Sequence, residues 1–502
     1  MTDLVLDGQA LSLDDVSAVA RNKRRVGLGA NARGRMERAQ ALVAAIAAGD
    51  RPVYGINTGF GSLSRVRIAP DQTRELQLNL VRSHAAAVGE PLPDDVVRAA
   101  LLIGAASLSR GHSGARPEVV ELMCACLNHG VTPVVPARGS LGASGDLAPL
   151  AHVALTLIGE GRARFDGRTL PSGEALRAAG LAPLQLGPKE GLALLNGTHV
   201  MTALGALAIQ DATTLLEVAQ AAAAMSLDAA LGTPTPLDPR IHALRGQPGQ
   251  IAVAARLRNL LAGSELPATH RENDPRVQDP YSLRCAPQVL GAVADGLGYV
   301  RGVIAHELGA VTDNPLVFAD DGVVLSGGNF HGQPLALALD LLAVTLTHLA
   351  AISERRTYLL LTAAEPEMKL PAFLSGGSGL ESGLMIAQYT AAALVNECTV
   401  LAHPASVANI PSSAGMEDYN SMGATAALKA RQVLELARRV VAIELLVAAQ
   451  ALDYHRPLRS GAGVEAVHAG LRQTVPFLTH DRVLADDIAA IVGIIESGEL
   501  VN

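Results

Sequence analysis

The chain has 502 residues, of which 49% are hydrophobic and 18% charged, a balance too apolar and too weakly charged for a disordered chain and ample for a buried core. Its 48 acidic and 40 basic residues give a formal charge of -8; they are spread without a basic run, which argues against a nucleic-acid partner. Four cysteines, Cys124, Cys126, Cys285 and Cys398, are too few for a disulfide framework and lack paired zinc-ligand spacing, so reduced thiols, a cytoplasmic protein and no metal site are expected.

At the N-terminus, Asp3 and Asp7 stand where a secretory signal would carry basic residues and then an apolar run, so export is not expected. Gly-rich polar segments follow at 54–64, 138–149, 194–199, 271–284, 313–332 and 410–422, and these are the candidate functional loops. The longest charge-free stretch, 191–210, contains Asn196, Gly197, Thr198 and His199, which disfavours a membrane span there. Trp is absent, with only 6 Phe and 7 Tyr against an excess of Ala and Leu, so an all-α protein is predicted. Long helices are predicted over 201–231, 334–356, 384–401 and 425–452. In the second of these, Leu335, Leu339, Leu342, Leu346 and Leu349 recur at steps of four and three, a heptad-like seam that begins at Pro334. Such helices suggest a bundle with surfaces suited to symmetric assembly.

Several common chemical signatures fail. Gly59-Phe60-Gly61 lacks a βαβ context, no Gly-Lys-Ser/Thr phosphate loop occurs, and His306-Glu307 has Ala310 where a zinc protease places its second His. Ser144, in Gly142-Ala143-Ser144-Gly145, is not in a nucleophile elbow. The surrounding run from Gly139 to His152 reads locally as a Gly-rich loop entering a helix, with Asp146 a possible N-cap and Pro149 tolerated in the first turn. Gln278, Tyr281 and Arg284 follow one another at steps of three, which brings them to neighbouring positions if the segment is helical. The planar fork of Arg284 suits a carboxylate.

The complete run around Ala143-Ser144-Gly145 resembles the signature of the histidine and aromatic amino-acid ammonia-lyases. The match continues in the family's order from Tyr54 to Met422. The resemblance implies the long-helix bundle of the ammonia-lyase (fumarase/aspartase-like) superfamily. It is divided at about residue 200 into a smaller N-terminal domain, 1–200, and a central and C-terminal helical bundle, 201–502. It also implies that Ala143, Ser144 and Gly145 cyclise into 4-methylidene-imidazol-5-one (MIO), with no external cofactor. Gly145 lacks a Cβ, so its nitrogen can approach the Ala143 carbonyl carbon, and Ser144 then loses its hydroxyl as water. By the same resemblance Tyr54 is the acid/base on a closing loop. Asn196 orients the MIO carbonyl and the substrate carboxylate, Gln278 and Tyr281 line the site, and Phe330 packs beside the ring.

Two positions bear on the substrate. Ser83-His84 resembles the histidine enzymes, with His84 bonding an imidazole, and Glu417 stands where phenylalanine and tyrosine enzymes tend to carry Gln; a carboxylate can pair with an imidazole N–H. The reading is therefore elimination of ammonia from L-histidine to trans-urocanate, by a homotetramer with composite active sites. Met416, Tyr419 and His199 depart from the histidine pattern. The rivals are a tyrosine or phenylalanine lyase or aminomutase, a lyase for a histidine analogue, and a silent relative in which Ala-Ser-Gly never cyclises.

Overall fold

The computed structural model describes residues 2–61, 65–270, 272, 274–363, 365–377 and 379–500. Parts of the predicted loops at 54–64 and 271–284 therefore lie outside the described residues. The fold is dominated by helices, and the four long ones predicted from composition are present as His199–Ala229, Gln333–Leu361, Met385–Leu401 and Gly423–Asp453. All five leucines of the 335–349 seam are fully buried. Strands are short and serve as clasps: Leu4–Leu6 pairs in parallel with Val26–Leu28, and four small antiparallel ladders hold loops between residues 88 and 171 and between 316 and 325.

The chain divides into two compact units. The first comprises Met1–Leu207, Arg301–Leu339 and Pro404–Leu428. Its centre is the helix Asp94–Ser109, buried on nearly every face. Even Arg98 is interior there, because its guanidinium donates to Val19 O, Ala20 O and Leu127 O, satisfying carbonyls at the C-terminal ends of two neighbouring helices. The second unit comprises Ala208–Val300, Asp340–His403 and Lys429–Asn502. Its interior charge is concentrated on Glu444, which accepts from Arg356 Nε at 2.5 Å, Arg356 Nη2 at 2.8 Å, Ser226 Oγ at 2.8 Å and Ser353 Oγ at 2.6 Å. The two serine hydroxyls offset part of the cost of burying this ion pair, while Arg356 Nη1 is buried with no acceptor among the described residues.

Among the described residues one helix, Gln333–Leu361, is long and apolar enough to cross a membrane, yet 67% of its most apolar window is buried. Asp340, Glu354, Arg355 and Arg356 lie along it, with Arg356 and Glu354 interior. That pattern is a core helix. All four cysteines are unpaired, and burial pushes Cys124, Cys126 and Cys398 up to about 12, leaving them inert thiols.

Candidate active site

The first unit contains a cavity of about 480 Å³. One wall is the helix Thr73–His84, which presents Leu76, Asn79, Leu80, Ser83 and His84 at helical spacing. Tyr54 and Phe60 come from the loop after Ala30–Ala48, Ser144 from the Gly-rich turn, and Ser413 and Glu417 from the segment before Gly423–Asp453. Four of the predicted site residues, Tyr54, His84, Ser144 and Glu417, thus share one space.

The Tyr54 loop is fixed by Asn57, whose side chain accepts from Val53 N at 2.7 Å and donates to Ile46 O and Arg51 O, while Ile56 packs into a small core with Ala39, Val43, Ala47 and Val317. Tyr54 Oη accepts from Gly61 N at 3.4 Å. Burial raises the Tyr54 phenol above its ordinary value; the Gly61 N–H opposes this and the Glu417 charge adds to it. His84 Nδ1 lies 2.9 Å from Leu80 O. A carbonyl only accepts, so Nδ1 carries the proton and Nε2 keeps its lone pair. Burial lowers the imidazole's affinity for a second proton, with Leu80 O and Glu417 pulling the other way. Ser412 Oγ donates to Glu417 Oε2 at 2.8 Å, leaving the carboxylate with further acceptor capacity at the cavity.

The Ala143-Ser144-Gly145 turn is tightly held. Ser144 and Gly145 have φ of 49° and 82°, and Gly145 N donates to Gly142 O at 3.2 Å. On its other side the turn pairs with Gly197: Gly197 N donates to Ser144 O at 3.1 Å and Asp146 N to Gly197 O at 2.8 Å. A Cβ on Gly145 would sit 2.1 Å from Gly197 O, so no other residue fits without moving backbone. A reversed turn with a bare glycine at its third position is what closure of an Ala-Ser-Gly ring requires, and these residues fit the group.

Asn196 directly precedes Gly197 and caps the helix Glu190–Leu195. Its Nδ2 donates to Asp313 Oδ1 at 3.0 Å and Asn314 O at 2.8 Å, and Asp313 in turn accepts from the fully buried Lys189 at 2.6 Å. With both amide protons committed, Asn196 Oδ1 is buried and has no donor among the described residues. Asp146 stands at the N-cap position of Leu147–Leu157 but makes no side-chain bond to that helix. It reaches instead to Val200 N and Met201 N, both at 2.9 Å, and caps the long helix His199–Ala229. Complete burial pushes its carboxyl up to about 7 against the pull of these N–H groups.

Other predicted residues are placed differently. Phe330 is half-buried in the first unit and does not line the cavity, whose aromatic lining is Tyr54 and Phe60. Phe60 belongs to the run from Tyr54 to Gly61 that carries the Tyr54 match, but the sequence alone gives it no part in the site. Gln278, Tyr281 and Arg284 belong to the second unit. The helix there covers only Tyr281–Arg284, because Pro280 disfavours helical backbone at Asp279 and leaves Gln278 in a bend. Tyr281 is 70% exposed, and the Arg284 guanidinium stacks over its ring at 4.5 Å. Of the three departures from the histidine pattern, none lines the cavity: Met416 and Tyr419 are exposed, and His199 is buried beneath Gly197. The residues that reading by motif missed, Leu76, Asn79 and Leu80, could have been found by continuing from His84 back along one face of its helix.

Comparison with known proteins gives the family. A curated protein named histidine ammonia-lyase from Anaeromyxobacter sp. (strain K) is 56% identical over 509 residues, covering 100% of both chains. The crystal structure of histidine ammonia-lyase from Trypanosoma cruzi superposes with a TM-score of 0.92 at 42% identity, covering 99% of this chain and 94% of that one. Tyrosine aminomutase from Streptomyces globisporus superposes with a TM-score of 0.94 at 37% identity, covering 100% and 98%. The family model for aromatic amino acid lyases matches residues 11–473, which contain the Ala-Ser-Gly turn and every residue that lines the cavity, and the chain is therefore a member of the aromatic amino acid lyase family.

Proposed function

We propose that the protein eliminates ammonia from L-histidine, giving trans-urocanate. The observation that carries this reading is that His84 and Glu417 line the same cavity as Ser144, so an imidazole-binding pair and the reacting turn face one ligand. The greater identity to a histidine enzyme than to the tyrosine aminomutase supports it over the aromatic rivals.

The reaction removes a β-proton and the amino group and leaves a Cα–Cβ double bond. When formed from Ala143, Ser144 and Gly145, MIO supplies an electrophilic methylidene that makes the amine a competent leaving group. The chain's own residues do the rest. Tyr54 is the base for the β-proton, His84 Nε2 accepts an imidazole N–H, and Glu417 holds the other edge of the ring. Arg284 presents its fork to the carboxylate, and Gln278 and Tyr281 complete the enclosure. Asn196 keeps only Oδ1 free, an acceptor, so it meets the substrate's amine and offers no donor to the carboxylate or to the carbonyl of the turn, contrary to what the resemblance implied. We read the assembly as a cytoplasmic homotetramer in which Gln278, Tyr281 and Arg284 of one copy serve the cavity of another; the exposure of Tyr281 at 70% and Val277 at 95% supports it.

The direct test is near-ultraviolet absorbance with L-histidine, L-tyrosine and L-phenylalanine supplied separately. A conjugated acrylate should form from histidine alone; formation only from tyrosine or phenylalanine would reassign the substrate. Replacing Tyr54 by Phe should lower kcat by roughly 10²–10⁴-fold, the usual contribution of a positioned acid/base, with thermal stability retained.

Glu417→Gln makes a signed prediction for the pH profile. Tyr54 acts as a base only when deprotonated, and the Glu417 charge raises its pKa. Removing that charge should move the rising limb of kcat/KM to lower pH. Its plateau for histidine should fall roughly 10–100-fold, the worth of one hydrogen bond to a charged group. A limb that stays in place would remove Glu417 from the surroundings of Tyr54.

A further inference from the structure

A second cavity in the first unit, of about 340 Å³, shares no lining residue with the first. It is lined by Asp7, Gly8, Arg35, Arg110, His112 and Val311, none of which has a part in the elimination described above. Arg35 comes from the helix Ala30–Ala48, and Arg110 caps the C-terminus of Asp94–Ser109. The local backbone is shaped around Arg35. Gly8 and Gly111 have φ of 100° and 81°; a Cβ on Gly8 would lie 2.5 Å from Arg35 Nη2, and one on Gly111 would lie 2.7 Å from Arg35 Cβ. The backbone approach at Gly111 requires glycine, and the positive φ at Gly8 favours it.

The charges do not cancel. Asp7 is the one carboxylate lining the cavity, and its oxygens are committed to Ala32 N and Asn31 Nδ2, both at 2.7 Å. Arg35 Nη2 donates to the Asp7 backbone carbonyl at 2.9 Å. Arg110 Nε and Nη2 are buried with no acceptor among the described residues. A buried guanidinium N–H without an acceptor is costly, and burial together with the neighbouring Arg35 charge lowers the Arg110 pKa. His112 is anchored on the same rim, its Nδ1 donating to Val317 O at 3.0 Å and its ring 5.3 Å from that of Phe318. Two guanidinium groups against one engaged carboxylate leave an excess positive charge in a space several times the roughly 30 Å³ that one water occupies.

We propose that this cavity binds a small, multiply charged oxyanion, a phosphate or a short dicarboxylate, held between the forks of Arg35 and Arg110. Such a ligand supplies the acceptors that Arg110 lacks, and planar guanidinium forks are the side-chain geometry that matches phosphate and carboxylate oxygens. Binding here stabilises the folded protein by mass action.

The test is thermal unfolding and titration calorimetry of the full-length protein with inorganic phosphate and, separately, malonate, each against sodium chloride at matched ionic strength. The expected result is a saturable rise in Tm with at least one of them. The dissociation constant should weaken at least about 10-fold in Arg110→Gln and in Arg35→Gln, one factor of ten being about 1.4 kcal/mol. Arg110→Lys, which keeps charge but loses the fork, should fall between. Response to phosphate alone assigns a tetrahedral ligand, and response to malonate alone a dicarboxylate. An equal response in wild type, Arg110→Gln and Arg35→Gln would place the anion elsewhere and overturn the proposal. So would no response up to about 10 mM, well above a millimolar Kd. A change of assembly mass in Arg110→Gln with the phosphate response intact would give the cavity to a neighbouring copy instead. Should Arg110→Gln not fold, Arg35→Gln and Arg110→Lys carry the comparison.

Discussion

Ser144→Ala should yield a folded protein that releases no detectable ammonia from L-histidine. In the proposed chemistry the Ser144 hydroxyl leaves as water and its Cβ becomes the electrophilic carbon, and Ala has no hydroxyl to lose. The change is small and the turn survives it: the bonds that hold this segment, Gly145 N to Gly142 O, Gly197 N to Ser144 O and Asp146 N to Gly197 O, are all backbone. Intact mass makes the test independent of activity. Wild-type protein should be lighter than its translated sequence by two waters, and Ser144→Ala should not show the loss of the second. A wild-type mass equal to the translated sequence would remove MIO from the account, and activity retained in Ser144→Ala would remove Ser144 from the chemistry.

The largest loss of stability is expected from Lys189→Met. Lys189 and Asp313 are 0% and 3% exposed and 2.6 Å apart. Deleting one partner of a buried pair strands the other, which destabilises by roughly 3–5 kcal/mol. Asp313 also holds Asn196 through Oδ1, so the stranded carboxylate disturbs the amide whose oxygen is proposed to face the substrate. The urea midpoint of Lys189→Met should fall without a change in m. Replacing Asp313 by Leu in the same protein should restore much of the midpoint, since an apolar pair of similar volume is often tolerated, while histidine turnover stays impaired. Restoration of both would make the pair purely structural.

The long helices were legible because a 3.6-residue repeat of Leu and Ala is a local property; the seam from Leu335 to Leu349 is fully buried as its spacing implied. The Ala-Ser-Gly turn, Tyr54, His84 and Glu417 were legible through family resemblance, each within a short motif. What escaped was relational. An acid at the start of a helix is visible in the sequence, but Asp146 caps the helix that begins 53 residues later, at His199, and nothing near Asp146 announces that partner. Phe60 forms a wall because its loop and the helix Thr73–His84 come together around one cavity, a tertiary event. Equal spacing suggested that Gln278, Tyr281 and Arg284 share a helix, and one proline shortened it.

The backbone carbonyl of Leu80 does more than steady His84. By taking the proton on Nδ1, it determines the polarity of that stretch of wall: His84 offers a lone pair, and Glu417 beside it offers more. Between them these two side chains can receive hydrogen bonds but, as neutral imidazole and carboxylate, cannot return one. A ring that meets both must bring its own protons. In the proposed reading a neutral imidazole brings one, an imidazolium two, and a ring methylated on the nitrogen facing His84 none to that contact, so the pair would select by donor count as well as by shape.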